Sequence, residues 1–287
     1  MGYLANAFAK MKSNLEITQT EQNQAKRRHE KVREHIRLVW DLVADFLEGS
    51  YVRDTKTKKL KDIDVFIVID PNGNQGHLRG ASPYEVLEAL ADALRPVYPG
   101  VYIDQMACVI PFGPDDEVTS LEIVPAFQRK EGGYEIPDTR TGTWIPTNPK
   151  IHQEMTVARN GACGGKFVPL VKMVKGLNRE MGEPVRSFLL EVMAHSIVSE
   201  QFSDYPHELR WFLADAVDQV RNSWPDPAGV GPDANTMTAN ERQQASKMLA
   251  GALEIAERAV YLGDNGQERA AVEAWRELFG WRMPRPS

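Results

Sequence analysis

The pattern of hydrophobic and polar positions divides the chain into a mixed first half and a helical second half. Thr18 followed by Glu21 has the spacing of a capping box and predicts the start of a long helix. Apolar residues then recur at helical spacing until shortly before Gly49, so we expect the helix to end there. Residues 62–70 form a nearly continuous apolar run after two aspartates, which predicts a central strand buried on both faces.

Three further elements are predicted in the first half. Pro83 to Leu94 has the spacing of a short amphipathic helix, and residues 101–112 and 118–124 have the composition of strands, with Pro125 ending the second. From Arg129 to Lys150 the chain is rich in Gly, Pro, Thr and Asn, which predicts an irregular segment.

The second half contains no segment with the alternation of a strand. Gly161–Gly165 is the best candidate hinge before it. Helices are expected near 167–181, 187–202, 208–222, 239–262 and 267–279. The fourth follows a Pro/Gly/Asp-rich loop and begins with another capping box, Thr238 to Glu241. We therefore predict an α+β protein with a sheet lobe in residues 1–160 and a helical lobe in residues 161–287.

Composition narrows the functional classes. The net charge of −6 argues against a protein that binds duplex nucleic acid. Cys108 and Cys163 are the two cysteines, so a disulfide framework or a zinc cluster is not expected, and a cytoplasmic, reducing compartment fits best. No apolar run is long enough to span a membrane, so we expect no membrane partner.

The candidate chemistry lies where the first buried strand begins. Asp62 and Asp64 are two apart, so on a strand they present two carboxylates to the same side. Two negative charges this close repel each other unless a cation lies between them. A divalent ion that is also bound by nucleotide phosphates would neutralise both carboxylates. Gly49-Ser50 precedes them, and a small flexible turn allows a triphosphate to approach closely. Glu122, on the last predicted strand, is the candidate for a third carboxylate.

Each pattern alone also has a structural explanation. The Gly-Ser pair could be a helix C-cap and turn, and the three carboxylates could face water. Their order before a buried strand favours a functional site over a structural explanation, because a structural role does not need uncompensated charge at that position. Lys172 and Lys175 share one helix face, which suits either a solvated basic surface or a phosphate clamp. Ser187 opens the next helix, as an N-cap or as part of an anion site.

Together these segments resemble the bacterial cGAS/DncV-like nucleotidyltransferases (CD-NTases), the SMODS-type oligonucleotide cyclases of CBASS anti-phage systems, within the polymerase-β superfamily. The matching segments are GSYVR at 49–53, DIDVFIVI at 62–69, LEIVPAF at 121–127, YEIPD at 134–138, WIPTNPK at 144–150, PLVKMVKGLNR at 169–179, SFLLEVMAH at 187–195 and AVEAWRELFG at 271–280. The first two are shared across the superfamily. The later ones are specific to CD-NTases, and the pattern is most similar to clade D.

The resemblance implies a polymerase-β-like sheet lobe, a C-terminal helical bundle and a long N-terminal helix as a spine across both. It implies two Mg²⁺ ions, for which Mn²⁺ could substitute, held by Asp62, Asp64 and Glu122. The family usually has aspartate where this chain has Glu122, so the longer side chain is a departure. The residues implied to bind the nucleotide are Gly49, Ser50, Lys172, Lys175 and Ser187.

The implied reaction joins nucleoside triphosphates, ATP or GTP or both, with loss of pyrophosphate. A ribose hydroxyl of one nucleotide attacks the α-phosphate of another, and ring closure gives a cyclic di- or trinucleotide second messenger. The implied partners are a downstream effector that binds the product and a regulatory protein. Two other classes stay open: a primer-dependent nucleotidyltransferase acting on RNA ends, which the acidic balance disfavours, and a non-catalytic nucleotide-binding relative, which Glu122 keeps open.

Overall fold

The computed structural model describes residues 2–58, 60, 62–113, 116 and 118–286. These residues form two compact units. The sheet unit comprises Ile17–Gln153 and Ala228–Pro232, and the helical unit comprises the rest of the described chain. Among the described residues, no helix combines the length and apolar character needed to cross a bilayer.

The sheet unit contains both helices and strands. Its helices are α2 (Gln19–Val39), α3 (Gly49–Val52) and α4 (Pro83–Leu94), with a 3₁₀ turn at Gly76–Gly80. Its strands are β1 (Leu42–Glu48), β2 (Asp64–Ile69), β3 (Tyr102–Asp104), β4 (Ala107–Pro111), β5 (Ser120–Gln128), β6 (Tyr134–Asp138) and β7 (Thr143–Thr147). The fold is therefore α+β, as predicted.

The sheet has the strand order β1-β2-β5-β4-β3, and β6 with β7 forms a hairpin that continues from the far end of β5. β2 and β5 are parallel, whereas the other neighbouring strands are antiparallel. One face packs against α2 and α4 through buried residues such as Val65, Ile67 and Ile123. The other face has a smaller core that includes Phe66 and Val124. Asp64 and Glu122 lie two residues before them, on that same face.

The helical unit contains no strand among its described residues. Its helices are α1 (Tyr3–Leu15), α6 (Phe167–Glu180), α7 (Ser187–Ile197), α8 (Tyr205–Gln219), α9 (Ala239–Asp264) and α10 (Glu268–Phe279), followed by a 3₁₀ turn at Gly280–Arg282. α5 (Pro149–Ala162) crosses the boundary between the units. α1 packs on α10, where Phe8 meets Trp275 edge to face at 5.4 Å. The five helices predicted after residue 161 are confirmed, and so are both capping boxes.

The predicted extension of the N-terminal helix toward Gly49 is wrong. α2 ends at Val39, and Leu42–Glu48 is a strand that pairs with β2. β2 needs a partner along this edge, and Phe46 stacks on Phe66 with ring centroids 5.5 Å apart. These contacts between distant segments outweigh the helical spacing of the apolar residues.

Pro125 does not end its strand, because β5 continues to Gln128. The amide of Glu122 donates to Ile63 of the β2 side, so amides at odd positions of β5 point to the opposite edge. On that edge β4 pairs as far as Ile123, and β6 starts at Phe127. Pro125 lies in the gap between them, where no N–H donor is required.

The segment predicted to be irregular, 129–150, contains the β6–β7 hairpin and the start of α5. Prolines lie within or beside the short strands of the hairpin. Because proline is typical of irregular segments, the composition did not indicate these strands. The compact units also differ from a division at residue 160, because the chain up to Glu16 and from Glu154, apart from Ala228–Pro232, belongs to the helical unit. Cys108 and Cys163 are both buried and free.

Candidate functional site

The candidate site is built where the chain before β2 runs parallel to the start of β5. Leu60 forms a bridge with Val118, and the Ile63 carbonyl accepts the Glu122 amide at 3.0 Å. In this register Asp64 lies directly opposite Glu122. The pairing of two parallel strands therefore brings together the paired aspartates and the third carboxylate, which the sequence could only list separately.

Gly49 lies against Asp64. Its φ of 69° is in the left-handed region, and a Cβ built on it would come within 1.6 Å of Asp64 Oδ2. Only glycine fits both the backbone conformation and this close approach. Ser50 follows in the first turn of α3, where its carbonyl accepts the amides of Thr55 and Lys56 at 3.0 and 3.1 Å. The Gly-Ser pair is thus a hydrogen-bonded turn whose glycine lies against the Asp64 carboxylate.

The carboxylates perturb one another. Burial, followed by the charge of Glu48, raises the pKa of Asp64 to about 7, with Asp62 adding to the rise and Arg53 opposing it. Burial also raises the pKa of Glu122 to about 8, and the next causes are the charges of Asp64, Asp62 and Asp104. The site therefore concentrates negative charge that the neighbouring protein only partly compensates.

Two neighbours of the aspartates have clear local roles. Arg53 is buried and forms an ion pair with Glu48 at 3.4 Å, which places a positive charge beside the Asp64 side of the site. Ser120 Oγ donates a hydrogen bond of 2.7 Å to Asp62 Oδ1. Asp62 is otherwise exposed, so this bond fixes the orientation of its carboxylate.

The donor chemistry fits a divalent cation. Asp62, Asp64 and Glu122 supply hard carboxylate oxygens, and their mutual repulsion would be relieved by positive charge between them. Mg²⁺ is usually held by one or two carboxylates together with substrate phosphates, rather than by a complete cage of protein ligands. Among the described residues, no three His, Cys, Asp or Glu side chains are arranged as a ready-made metal cluster.

The remaining predicted residues belong to the helical unit. Lys172 pairs with Glu16 at 2.6 Å, and Lys175 pairs with Glu191. Both lysines are buried, at 2% and 5% exposure, so the alternative of a solvated basic surface is wrong. Ser187 is the first residue of α7, whose N-cap is the preceding arginine, so it is not the N-cap.

Five of the predicted residues therefore lie near one another in the sheet unit, and three of their neighbours were not predicted. Gly49, Ser50, Asp62, Asp64 and Glu122 come together there, while the nucleotide-binding roles of Lys172, Lys175 and Ser187 stay predictions. Glu48, Arg53 and Ser120 were missed as site residues. The place of Ser120 follows from the strand register, which no local pattern encodes. Glu48 and Arg53 flank the Gly-Ser pair in the sequence, and that nearness was the available signal.

Comparisons with known proteins agree with this fold. The chain superposes on the structure of Escherichia coli MS115-1 CdnC with ATP, with a TM-score of 0.73, 20% identity and 98% of each chain covered. It also superposes on CdnG of Bradyrhizobium diazoefficiens in complex with GTP, a CD-NTase, with a TM-score of 0.75, 17% identity, and 98% and 96% covered. At these identities the likeness establishes a shared CD-NTase fold.

The sequence comparisons extend beyond the fold. The chain is 27% identical to a probable cyclic nucleotide synthase of Bacillus cereus, over 82% of this chain and 81% of that protein. It is 25% identical to a cyclic AMP-AMP-AMP synthase of an Acinetobacter species, over 97% and 84%. Residues 3–160 match the Second Messenger Oligonucleotide or Dinucleotide Synthetase (SMODS) domain, which spans more than half of the chain, and the protein therefore belongs to the SMODS family.

Proposed function

We propose that this protein is a cyclic oligonucleotide synthase that joins nucleoside triphosphates into a cyclic di- or trinucleotide and releases pyrophosphate. The observation that carries the proposal is the pairing of Asp64 with Glu122, beside Asp62 and against Gly49. This concentration of carboxylates next to a tight glycine turn suits a triphosphate bound together with divalent cations. The SMODS match gives the reaction class.

Each residue of the site has a defined part in this proposal. Gly49 leaves room for the Asp64 carboxylate beside the turn, and Ser50 would bind the triphosphate from the first turn of α3. Asp62, Asp64 and Glu122 would hold two Mg²⁺ ions, with Mn²⁺ as a substitute. When bound, these ions neutralise phosphate charge and favour ionisation of the attacking ribose hydroxyl. Lys172, Lys175 and Ser187 are the residues that we propose bind nucleotide phosphates.

ATP is the first substrate to test. The Acinetobacter relative is named as a cyclic AMP-AMP-AMP synthase, and the E. coli neighbour was solved with ATP. GTP is the second, because the Bradyrhizobium neighbour was solved with GTP. The product would act on a downstream effector in anti-phage signalling. A regulatory protein partner is supported by a neighbour solved as a CdnC:HORMA-deltaN complex, with a TM-score of 0.72.

The test is incubation of the purified protein with ATP, GTP, CTP and UTP, singly and mixed, with and without Mg²⁺. Products are treated with phosphatase and identified by mass spectrometry. The proposal expects a phosphatase-resistant cyclic product that needs Mg²⁺ and no primer. Asp62→Asn with Asp64→Asn is the inactive control.

The same assay separates the other two classes. Nucleotide addition only in the presence of an RNA primer would replace the proposal with an RNA-end nucleotidyltransferase. Nucleotide binding without any release of pyrophosphate would make the protein a non-catalytic relative. The acidic balance and the SMODS match disfavour the first outcome, and the convergence of Gly49 with the three carboxylates disfavours the second.

A further inference from the structure

Tyr102 is an exposed aromatic residue near the carboxylates, and it has no role in the proposed function so far. It begins the edge strand β3, and 51% of its surface is exposed. The next residue, Ile103, packs into the core formed with α2 and α4. Because side chains alternate along a strand, Tyr102 points to the opposite face, the one that carries Asp64 and Glu122.

The strand register places Tyr102 in line with the site. Tyr102 pairs with Val109 of β4, Val109 pairs with Glu122 of β5, and Glu122 pairs with Asp64 of β2. Directly paired residues share one face of a sheet. Tyr102 is thus two strand spacings from Glu122, roughly 10 Å, which is within the span of one nucleotide.

The same row of paired residues places the Gly-Ser turn and Tyr102 on opposite sides of the carboxylates. Gly49 and Ser50 follow β1, which pairs with β2 on the Asp64 side. Tyr102 lies beyond Glu122 on the other side, and Val109, which is buried, lies between them in the row. A synthase that joins two nucleotides needs two binding places around its carboxylates. If the Gly-Ser turn takes the triphosphate of the donor, the Tyr102 side is left for the attacking nucleotide.

The negative charge around Tyr102 determines which part of the attacking nucleotide can bind beside it. Burial and the charges of Asp104, Glu122 and Asp62, in that order, raise the pKa of the Tyr102 hydroxyl, so the ring lies within their electrostatic reach. A phosphate placed there would be repelled by these carboxylates. A neutral nucleobase would not be, and stacking on an exposed aromatic ring suits every base because each has a π face.

We propose that Tyr102 is the stacking platform for the base of the acceptor nucleotide, the one whose ribose hydroxyl attacks. This inference rests on the proposed synthase function and adds the place of the second substrate. It makes Tyr102 a positioning residue: the stacked base would hold the ribose near Glu122 while the ring takes no part in the bond changes.

Enzyme kinetics test the inference in the full-length protein. Tyr102→Ala and Tyr102→Leu should raise the KM for nucleotide roughly tenfold, the scale of one base–aromatic stack, with a smaller change in kcat. Tyr102→Phe and Tyr102→Trp should stay within about twofold of wild type, because the ring is kept. Tyr84→Ala is the matched control: Tyr84 is equally exposed, at 58%, but lies on α4, which packs on the other face.

Calorimetry with a non-hydrolysable ATP analogue and Mg²⁺ provides a readout that does not depend on turnover. We expect two binding events in the wild type, of which Tyr102→Ala weakens one about tenfold and leaves the other unchanged. Equal binding and kinetics in Tyr102→Ala and wild type would overturn the inference. So would a loss in Tyr102→Phe as large as that in Tyr102→Ala, or equal weakening of both events.

Failure of the two proposals can be told apart. A wild-type protein that binds two nucleotides but forms no product would refute the synthase, while the calorimetric comparison still decides the role of Tyr102. A wild-type protein that makes product with unchanged kinetics in Tyr102→Ala and Tyr102→Leu would refute the stacking platform alone.

Discussion

Gly49 and Asp64 are in such close contact that no other residue fits at position 49: a Cβ there would lie 1.6 Å from Asp64 Oδ2. Gly49→Ala should therefore displace the Asp64 carboxylate and lower product formation by about 100-fold or more. The positive φ of 69° adds a backbone cost of about 1–2 kcal/mol. Initial rates and thermal unfolding measure the two effects.

Gly142 offers a matched control for this substitution. Its φ of 68° is the same, but a Cβ at this position would have nothing within 4 Å. Gly142→Ala should lower stability by a similar backbone cost and leave the rate of synthesis unchanged. Equal activity of Gly49→Ala and Gly142→Ala would show that the Asp64 contact has no role in the reaction.

Asp62→Asn with Asp64→Asn should abolish product formation without lowering the melting temperature in metal-free buffer. The reason is that these carboxylates repel each other and Glu122, so replacing them removes an unfavourable interaction. The readouts are mass spectrometry of products and thermal unfolding in the presence of a chelator. A double variant that still cyclises nucleotides would refute the assignment of both residues.

The sequence predicted the elements whose signals are local. The capping boxes at Thr18 and Thr238 marked the starts of α2 and α9, and α4 has the predicted bounds, Pro83–Leu94. β1 was missed because Val43 and Phe46 suit a helix as well as a strand, and only pairing with β2 decides between them. The β6–β7 hairpin was missed because short strands containing prolines lack a clear alternation.

The site was predictable to the same extent. Gly49, Asp62 and Asp64 lie in compact motifs, so their proximity could be inferred from spacing. Tyr102 and Ser120 could not be, because their distance from the carboxylates depends on which strands are neighbours and in what register. The register is set by packing over the whole sheet, so no short segment of the sequence predicts it.

Lys175 should prove to be both structural and nucleotide-binding. Lys175→Met removes the positive charge that pairs with buried Glu191, which should cost about 3–5 kcal/mol of stability. The double variant Lys175→Met with Glu191→Gln should recover most of that stability, because no buried charge remains. If the lysine binds the triphosphate, the nucleotide KM should stay raised, roughly tenfold or more, in both variants. A normal KM in the stable double variant would limit Lys175 to a structural role.

His207 should contribute stability that depends on pH. Burial alone would lower its pKa, but hydrogen bonds and charges from Asp204 and Asp264 outweigh burial and raise it above 6.5. Its nitrogens lie 2.8 Å from Asp204 and 3.3 Å from Asp264. Because the folded pKa is raised, the contribution is complete below pH 6.5 and is lost as pH rises through the folded value.

Asp264→Asn isolates this effect. The variant should lower the His207 pKa measured by NMR titration, and it should be less stable than wild type below pH 6.5 but equal to it well above the folded pKa. A stability difference that stays constant from pH 5 to pH 9 would contradict the ion-pair explanation and would indicate a loss of packing instead.

Glu122 should be a working third ligand, although the resemblance implies aspartate at this position. It lies directly opposite Asp64, and the charges of Asp64 and Asp62 both act on it, so its carboxylate is within the site. Glu122→Gln keeps the shape and removes the charge, and it should lower turnover by about 100-fold or more. Glu122→Asp keeps the charge on a shorter side chain and should match or exceed wild-type turnover, depending on how far β5 has adjusted to glutamate.

The comparison of turnover in Glu122→Gln with turnover in wild type at saturating Mg²⁺ tests whether Glu122 is a ligand. Equal rates would move the third carboxylate elsewhere, and Asp104 on β3, whose charge also acts on Glu122, would be the next residue to substitute.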